Sequence, residues 1–132
     1  MSTTPSYKWP REFPIDIPSK DAIPACGYAY RLVAQVPPTQ DDFKMTRLVD
    51  PDRKFKASEM SESYGLSLWY KLERIVRARK RYFSAEQYGN KIIVGGELQP
   101  ELGVIIESAN SHVTLWKQDG AEPHLHICKE AS

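Results

Sequence analysis

The sequence predicts an α+β fold, a single domain with one long amphipathic helix packed on a mostly antiparallel sheet and preceded by a proline-rich N-terminal arm. Three observations predict it. Residues 1–25 hold Pro5, Pro10, Pro14, Pro18 and Pro24, which forbid a long helix and weaken any central strand. Residues 68–83, LWYKLERIVRARKRYF, carry apolar side chains at helical spacing. The C-terminal half is a series of short β-forming runs separated by turn residues, with too few helical crossovers for a parallel sheet. The expected division is an extended arm over 1–25 and one domain over 26–132.

Within the arm, Trp9, Phe13, Ile15 and Ile17 are apolar anchors. They can lay the arm over the domain's own core or carry it to a second subunit as a homodimer contact. Gly27 to Val36, GYAYRLVAQV, alternates like a sheet strand, and Pro37-Pro38 ends it. Thr39 caps a short helix, TQDDFKMTR, whose first turn holds Asp41 and Asp42. From Leu48 to Tyr64 no period is sustained, and the expectation is a loop. Ser67 then caps the long helix, Leu68 to Phe83, which Tyr88-Gly89-Asn90 stops. Strands follow at Lys91–Val94, Gly103–Glu107, His112–Lys117 and His124–Cys128, with Gly95-Gly96 as a bulge or turn after the first.

At 132 residues with 41% hydrophobic and 27% charged side chains, the composition is that of one ordinary globular domain. The net charge is only +1, yet Lys71, Arg74, Arg77, Arg79, Lys80 and Arg81 stand against the single acid Glu73 in the helix. The charge is therefore segregated, and segregation selects partners more than the total does. Leu68, Leu72, Ile75, Val76, Tyr82 and Phe83 share the apolar arc, with Lys71, Arg74, Arg77, Lys80 and Arg81 outside it. Arg79 falls inside that arc, where a charge must be paired, snorkel out, or line a cleft.

A compact basic stripe complements an acidic protein surface. Nucleic acid is the lesser reading: Trp69, Tyr70 and Tyr82 offer rings for stacking, but the total charge is near neutral and no DNA- or RNA-binding motif is present. Apolar runs are too short to span a membrane and the N-terminus has no apolar signal core, so the expectation is a soluble cytoplasmic protein with no membrane partner. Cys26 and Cys128 are too few and too distant for a disulfide framework.

His124, His126 and Cys128 form H-x-H-x-C, which a strand would place on one face. With His112 they offer ligand types that zinc prefers, although strand-borne spacing of this kind is far less specific than paired CxxC knuckles. No nucleophile with its base and orienting group can be assembled, and the pattern demands no cofactor. Glu97 and Glu101 flank a proline turn as solvated charges.

YRLV (Tyr30 to Val33), PPTQDDF (Pro37 to Phe43), GLSLW (Gly65 to Trp69), GELQPELGVI (Gly96 to Ile105) and SHVTLW (Ser111 to Trp116) together resemble small uncharacterised proteins of bacteria and their mobile elements. That resemblance implies a bacterial or phage accessory protein and carries over no catalytic residue. The order of an early strand Arg (Arg31), a Ser after a glycine turn (Ser67) and a later Glu (Glu97, or Glu101) is similar to ADP-ribosyltransferase folds. This second resemblance implies NAD as cofactor, with Arg31 holding the dinucleotide, Ser67 lining the nicotinamide pocket and Glu97 stabilising a ribosyl cation. The Ser-Thr-Ser and Glu-x-Glu elements of such enzymes are absent from this chain, so the residues leave open whether it is an enzyme.

Overall fold

A computed structural model describes residues 7–81 and 91–131. Seven antiparallel strands form one sheet: β1 (Ile23–Pro24), β2 (Tyr28–Val33), β3 (Leu66–Trp69), β4 (Ile92–Glu97), β5 (Gly103–Glu107), β6 (His112–Lys117) and β7 (Lys129–Glu130). Their order is β1-β5-β6-β3-β2-β4-β7. β1 and β2 belong to one stretch of chain bent at Gly27, whose φ of 90° suits glycine. One end of that stretch pairs with β5 and the other with β3, so the sheet curls back on itself as a partly closed barrel.

Alternation decides what the barrel encloses. Ala29 and Val33 of β2, Leu66 and Leu68 of β3, Val94 of β4, Ile105 of β5, and Val113 and Leu115 of β6 form the inner core. Phe43 enters it from a 3-10 turn at Gln40–Phe43, and Ile127 from the chain before β7; both are fully buried. Gly95 and Gly96 lie in β4, regularly paired with Tyr30 and Ala29 of β2, so they form neither the bulge nor the turn expected of them. Each permits a close approach on its own face. A side chain at Gly95 would strike the Tyr28 and Tyr30 rings, and one at Gly96 the backbone carbonyl of His126.

The outer face of β5 and β6 is covered by the chain's own N-terminal segment. Tyr7, Trp9, Phe13, Ile17 and Ala22 pack with Val104, Ile106, Trp116 and Tyr64 into a second core. The expected extended arm is not what the segment forms. It folds as consecutive turns, with Phe13 N–H donating to the Pro10 carbonyl and Ile17 N–H to that of Pro14. Prolines fix φ and withhold donors, which suits turns as well as extension. Of the four expected anchors, Ile15 is fully exposed.

The expected helix from Leu68 to Phe83 is also corrected. The helix, α3, is the ten-residue Leu72–Arg81; Tyr82, Phe83 and Tyr88-Gly89-Asn90 lie outside the described residues. Leu66 to Trp69 is β3, so Ser67 sits within a strand and is not a helix cap. Pairing of Leu66 with Leu115 and Leu68 with Val113 places both leucines in the core, a tertiary reward that overrides local helical spacing. α3 packs against β2 and β3 through Ile75, whereas Val76, expected inside, is exposed.

The short helix expected over 39–47 is instead the 3-10 turn Gln40–Phe43 and, after extended Lys44 and Met45, the single-turn α1 (Thr46–Val49). The expected loop from Leu48 to Tyr64 contains a second single turn, α2 (Met60–Ser63). The strand expected at Lys91–Val94 extends to Glu97, and those at Gly103–Glu107 and His112–Lys117 occur as expected. His124–Cys128 is not a strand. Pro123 opens a 3-10 turn to Leu125, and His126 and Ile127 N–H both donate to its carbonyl.

Candidate functional site

α3 carries five cations, Arg74, Arg77, Arg79, Lys80 and Arg81, with Lys71 just before it. Lys71, Arg74, Arg77 and Lys80 recur every third residue as a drifting row beside Glu73 and Arg81. Arg74 is half-buried; Lys71, Arg77, Lys80 and Arg81 are exposed. The two salt bridges found among the described residues lie elsewhere, Lys44 with Asp41 and Arg53 with Glu59. Lys71, Arg74, Arg77 and Lys80 thus have no intrachain counterion among those residues, and like charges at this spacing oppose helix formation by about 0.2–0.5 kcal/mol per pair. Arg79, Lys80 and Arg81 recover part of that by meeting the negative end of the helix dipole.

Arg79, the charge within the apolar arc, meets a backbone carbonyl. It is half-buried, and its Nη1 donates to the carbonyl of Lys91, one residue before β4, at 3.2 Å. The contact ties α3 to β4 and leaves no buried carboxylate to strand. Arg79→Ala is therefore expected to destabilise by about 1–2 kcal/mol, the worth of one charge-assisted hydrogen bond at a half-exposed site. Urea denaturation would measure it, and a loss below a few tenths of a kcal/mol would mean that the bond holds nothing.

Of the three rings considered for stacking, Tyr70 and Trp69 are engaged in the fold, and Tyr82 lies outside the described residues. Tyr70 donates its hydroxyl to the Cys26 carbonyl at 2.8 Å. Its pKa is pushed up to about 12, by burial first and then by the neighbouring Cys26 and Glu107. Trp69 meets the edge of His112, with ring centroids 5.2 Å apart.

A cleft of about 400 Å³ opens where β2 and β3 separate, since they pair only at Tyr30 and Trp69. Arg31 and Ser67 both line it, together with Asp42, Asp50, Trp69 and Lys91, residues the sequence did not single out for this place. Arg31 Nε donates to the Asp42 carbonyl at 2.8 Å and Nη1 to the Ser67 carbonyl at 2.9 Å. Its guanidinium also lies 5.3 Å from the centre of the Phe43 ring. The Asp42 carboxylate accepts from the backbone N–H groups of Ala34 and Thr39, at 2.8 and 2.9 Å. Arg31 is thus a strut between the Gln40–Phe43 turn and β3.

Glu97 does not join them. It pairs with Tyr28 while Arg31 pairs with Val94, three residues or about 10 Å along the strand and on the opposite face. The structure brings Arg31 and Ser67 together and leaves Glu97 exposed elsewhere.

The histidines and Cys128 do not converge. Among the described residues no three His, Cys, Asp or Glu side chains are grouped to hold a metal ion. The Cys128 thiol faces the Leu125 carbonyl at 3.7 Å, and neither cysteine is bridged. His112 lies beside Ser108, Nδ1 to Oγ 3.3 Å. Burial lowers its pKa, with the Glu62 charge opposing in part.

The unfolded state therefore binds the His112 proton first, and stability falls as pH drops below the unfolded value near 6.5. The loss stops growing once the folded form is protonated as well. Urea denaturation at neutral pH and at about pH 5 should give a smaller loss in His112→Asn than in the wild type. Equal losses would remove His112 as the source.

No described helix is long and apolar enough to cross a membrane. Comparison with protein-family models, curated proteins and solved structures finds no match.

Proposed function

We propose that this chain is an interaction protein that docks an acidic protein surface through the α3 face of Lys71, Arg74, Arg77, Lys80 and Arg81. The observation that carries the reading is the row of four cations with no intrachain counterion among the described residues. Such a row costs the isolated chain some helix stability, and an acidic partner would reverse that cost. Engagement of Tyr70 and Trp69 within the fold favours protein over nucleic acid, which would use free rings for stacking. The ADP-ribosyltransferase reading, with NAD as cofactor, has less support, because Glu97 lies on the opposite face from Arg31.

The test is capture of a partner from lysate of the native host at low and high salt, with and without nuclease. Salt-sensitive, nuclease-resistant capture that fails in Arg77→Glu/Lys80→Glu supports the reading. Capture abolished by nuclease would assign the face to nucleic acid instead.

A further inference from the structure

We propose that a second recess, beside Lys117 at the end of β6, binds a small organic carboxylate with an aromatic body. The proposal is independent of the α3 reading and rests on other residues.

Lys117 falls in the same alternation of β6 as the core residues Val113 and Leu115, at the end of the strand, where it lines a recess. Its partner on β5 is Gly103, where any side chain would strike the Trp116 carbonyl. A cavity of about 430 Å³ adjoins it, walled by Phe13, Met45, Leu48, Tyr64 and Leu66. That size suits a one-ring molecule, with the apolar wall for its ring and Lys117, flanked by Gln118 and Asp119, for its polar group.

The electrostatics select the sign of the anchor. Lys117 is half-buried and forms no salt bridge among the described residues. Burial, and then the positive charge of Arg31, hold its pKa below the ordinary lysine value; Asp119 offsets them only in part. Counting Lys117 itself, the lining holds three cations, Arg11, Lys44 and Lys117, against two carboxylates, Glu12 and Asp119. A carboxylate at Lys117 would relieve the repulsion from Arg31 and satisfy the ammonium, while the ring covers Phe13 and Tyr64. An amine in its place would add a further cation to the cluster.

Benzoate, acetate and benzylamine are the probes, each titrated at millimolar concentration against the full chain and followed by melting temperature and backbone NMR shifts. Benzoate should raise the melting temperature saturably, acetate less, and benzylamine not at all. Lys117→Met should weaken benzoate about tenfold, the worth of one charge-assisted contact, and Lys117→Arg should retain it. Equal responses to benzoate and benzylamine, an unchanged affinity in Lys117→Met, or no saturable response would each overturn the proposal. Should Lys117→Met fail to fold, the wild-type spectrum decides. Shifts at Tyr64, Leu66 and Lys117 support the site, and shifts confined to the basic α3 overturn it.

Discussion

Phe43→Ala is expected to lower stability by about 3–5 kcal/mol, the range for truncating a fully buried aromatic side chain. Phe43 is completely buried, and it is the plug that the Gln40–Phe43 turn contributes to the barrel interior. Two further contacts depend on its seating. Arg31 lies over the ring at 5.3 Å and donates to the carbonyl of Asp42, the residue beside it. Losing the ring creates a cavity and frees the turn that holds Arg31, so the cleft wall should loosen along with the core.

Against a typical total of about 5–15 kcal/mol, a loss of this size can bring the chain close to unfolding at ordinary temperature. Phe43→Leu keeps most of the volume and should cost about a third as much. Urea denaturation of the two variants separates the terms, with amide exchange at Ala34 and Thr39 reporting on the turn. A loss below about 1 kcal/mol in Phe43→Ala would mean that the side chain is not packed as a plug.

The parts of this fold legible in the sequence are those in which side-chain period and tertiary pairing agree. Gly103 to Glu107 and His112 to Lys117 are short β-forming runs bounded by turn residues, and both are strands in the expected places. The boundary between β3 and α3 was not legible, because Leu68 and Leu72 satisfy both a strand ending at Trp69 and a helix beginning before it. Only pairing of Leu68 with Val113, 45 positions away, decides between them.

Arg79 was legible as an anomaly from its helical phase alone. Its partner was not, because a backbone carbonyl such as that of Lys91 leaves no mark in the sequence. The cleft around Arg31 and Ser67 depends on where β2 and β3 part, which no local pattern encodes. Lys117 is the opposite case: the alternation of His112 to Lys117 already puts it in phase with Val113 and Leu115, and a charge in that phase is the signal that would have found it.

Reversing Arg77 and Lys80 to Glu is expected to weaken an acidic partner by about 3 kcal/mol, roughly a hundredfold in Kd, with little change in folding stability. The two effects separate because both side chains are exposed and make no ion pair among the described residues. Lys80 gives up a favourable dipole contact of about 0.5 kcal/mol in the last turn, and Arg77→Glu relieves repulsion with Arg74 and Arg81 while adding repulsion with Glu73 one turn earlier, so the net change stays small. Binding has no such compensation, since each reversal turns an attraction into a repulsion at the interface. Raising salt from about 0.1 M to 1 M shortens the screening length from about 10 Å to 3 Å, so wild-type binding should weaken in parallel. Surface-based affinity measurement at both salt concentrations, beside thermal melts of the same preparations, tests the pair of claims. Undiminished capture by a folded Arg77→Glu/Lys80→Glu chain would remove α3 from the interface. Lost capture accompanied by a large fall in melting temperature would instead make the basic row part of what holds the fold together.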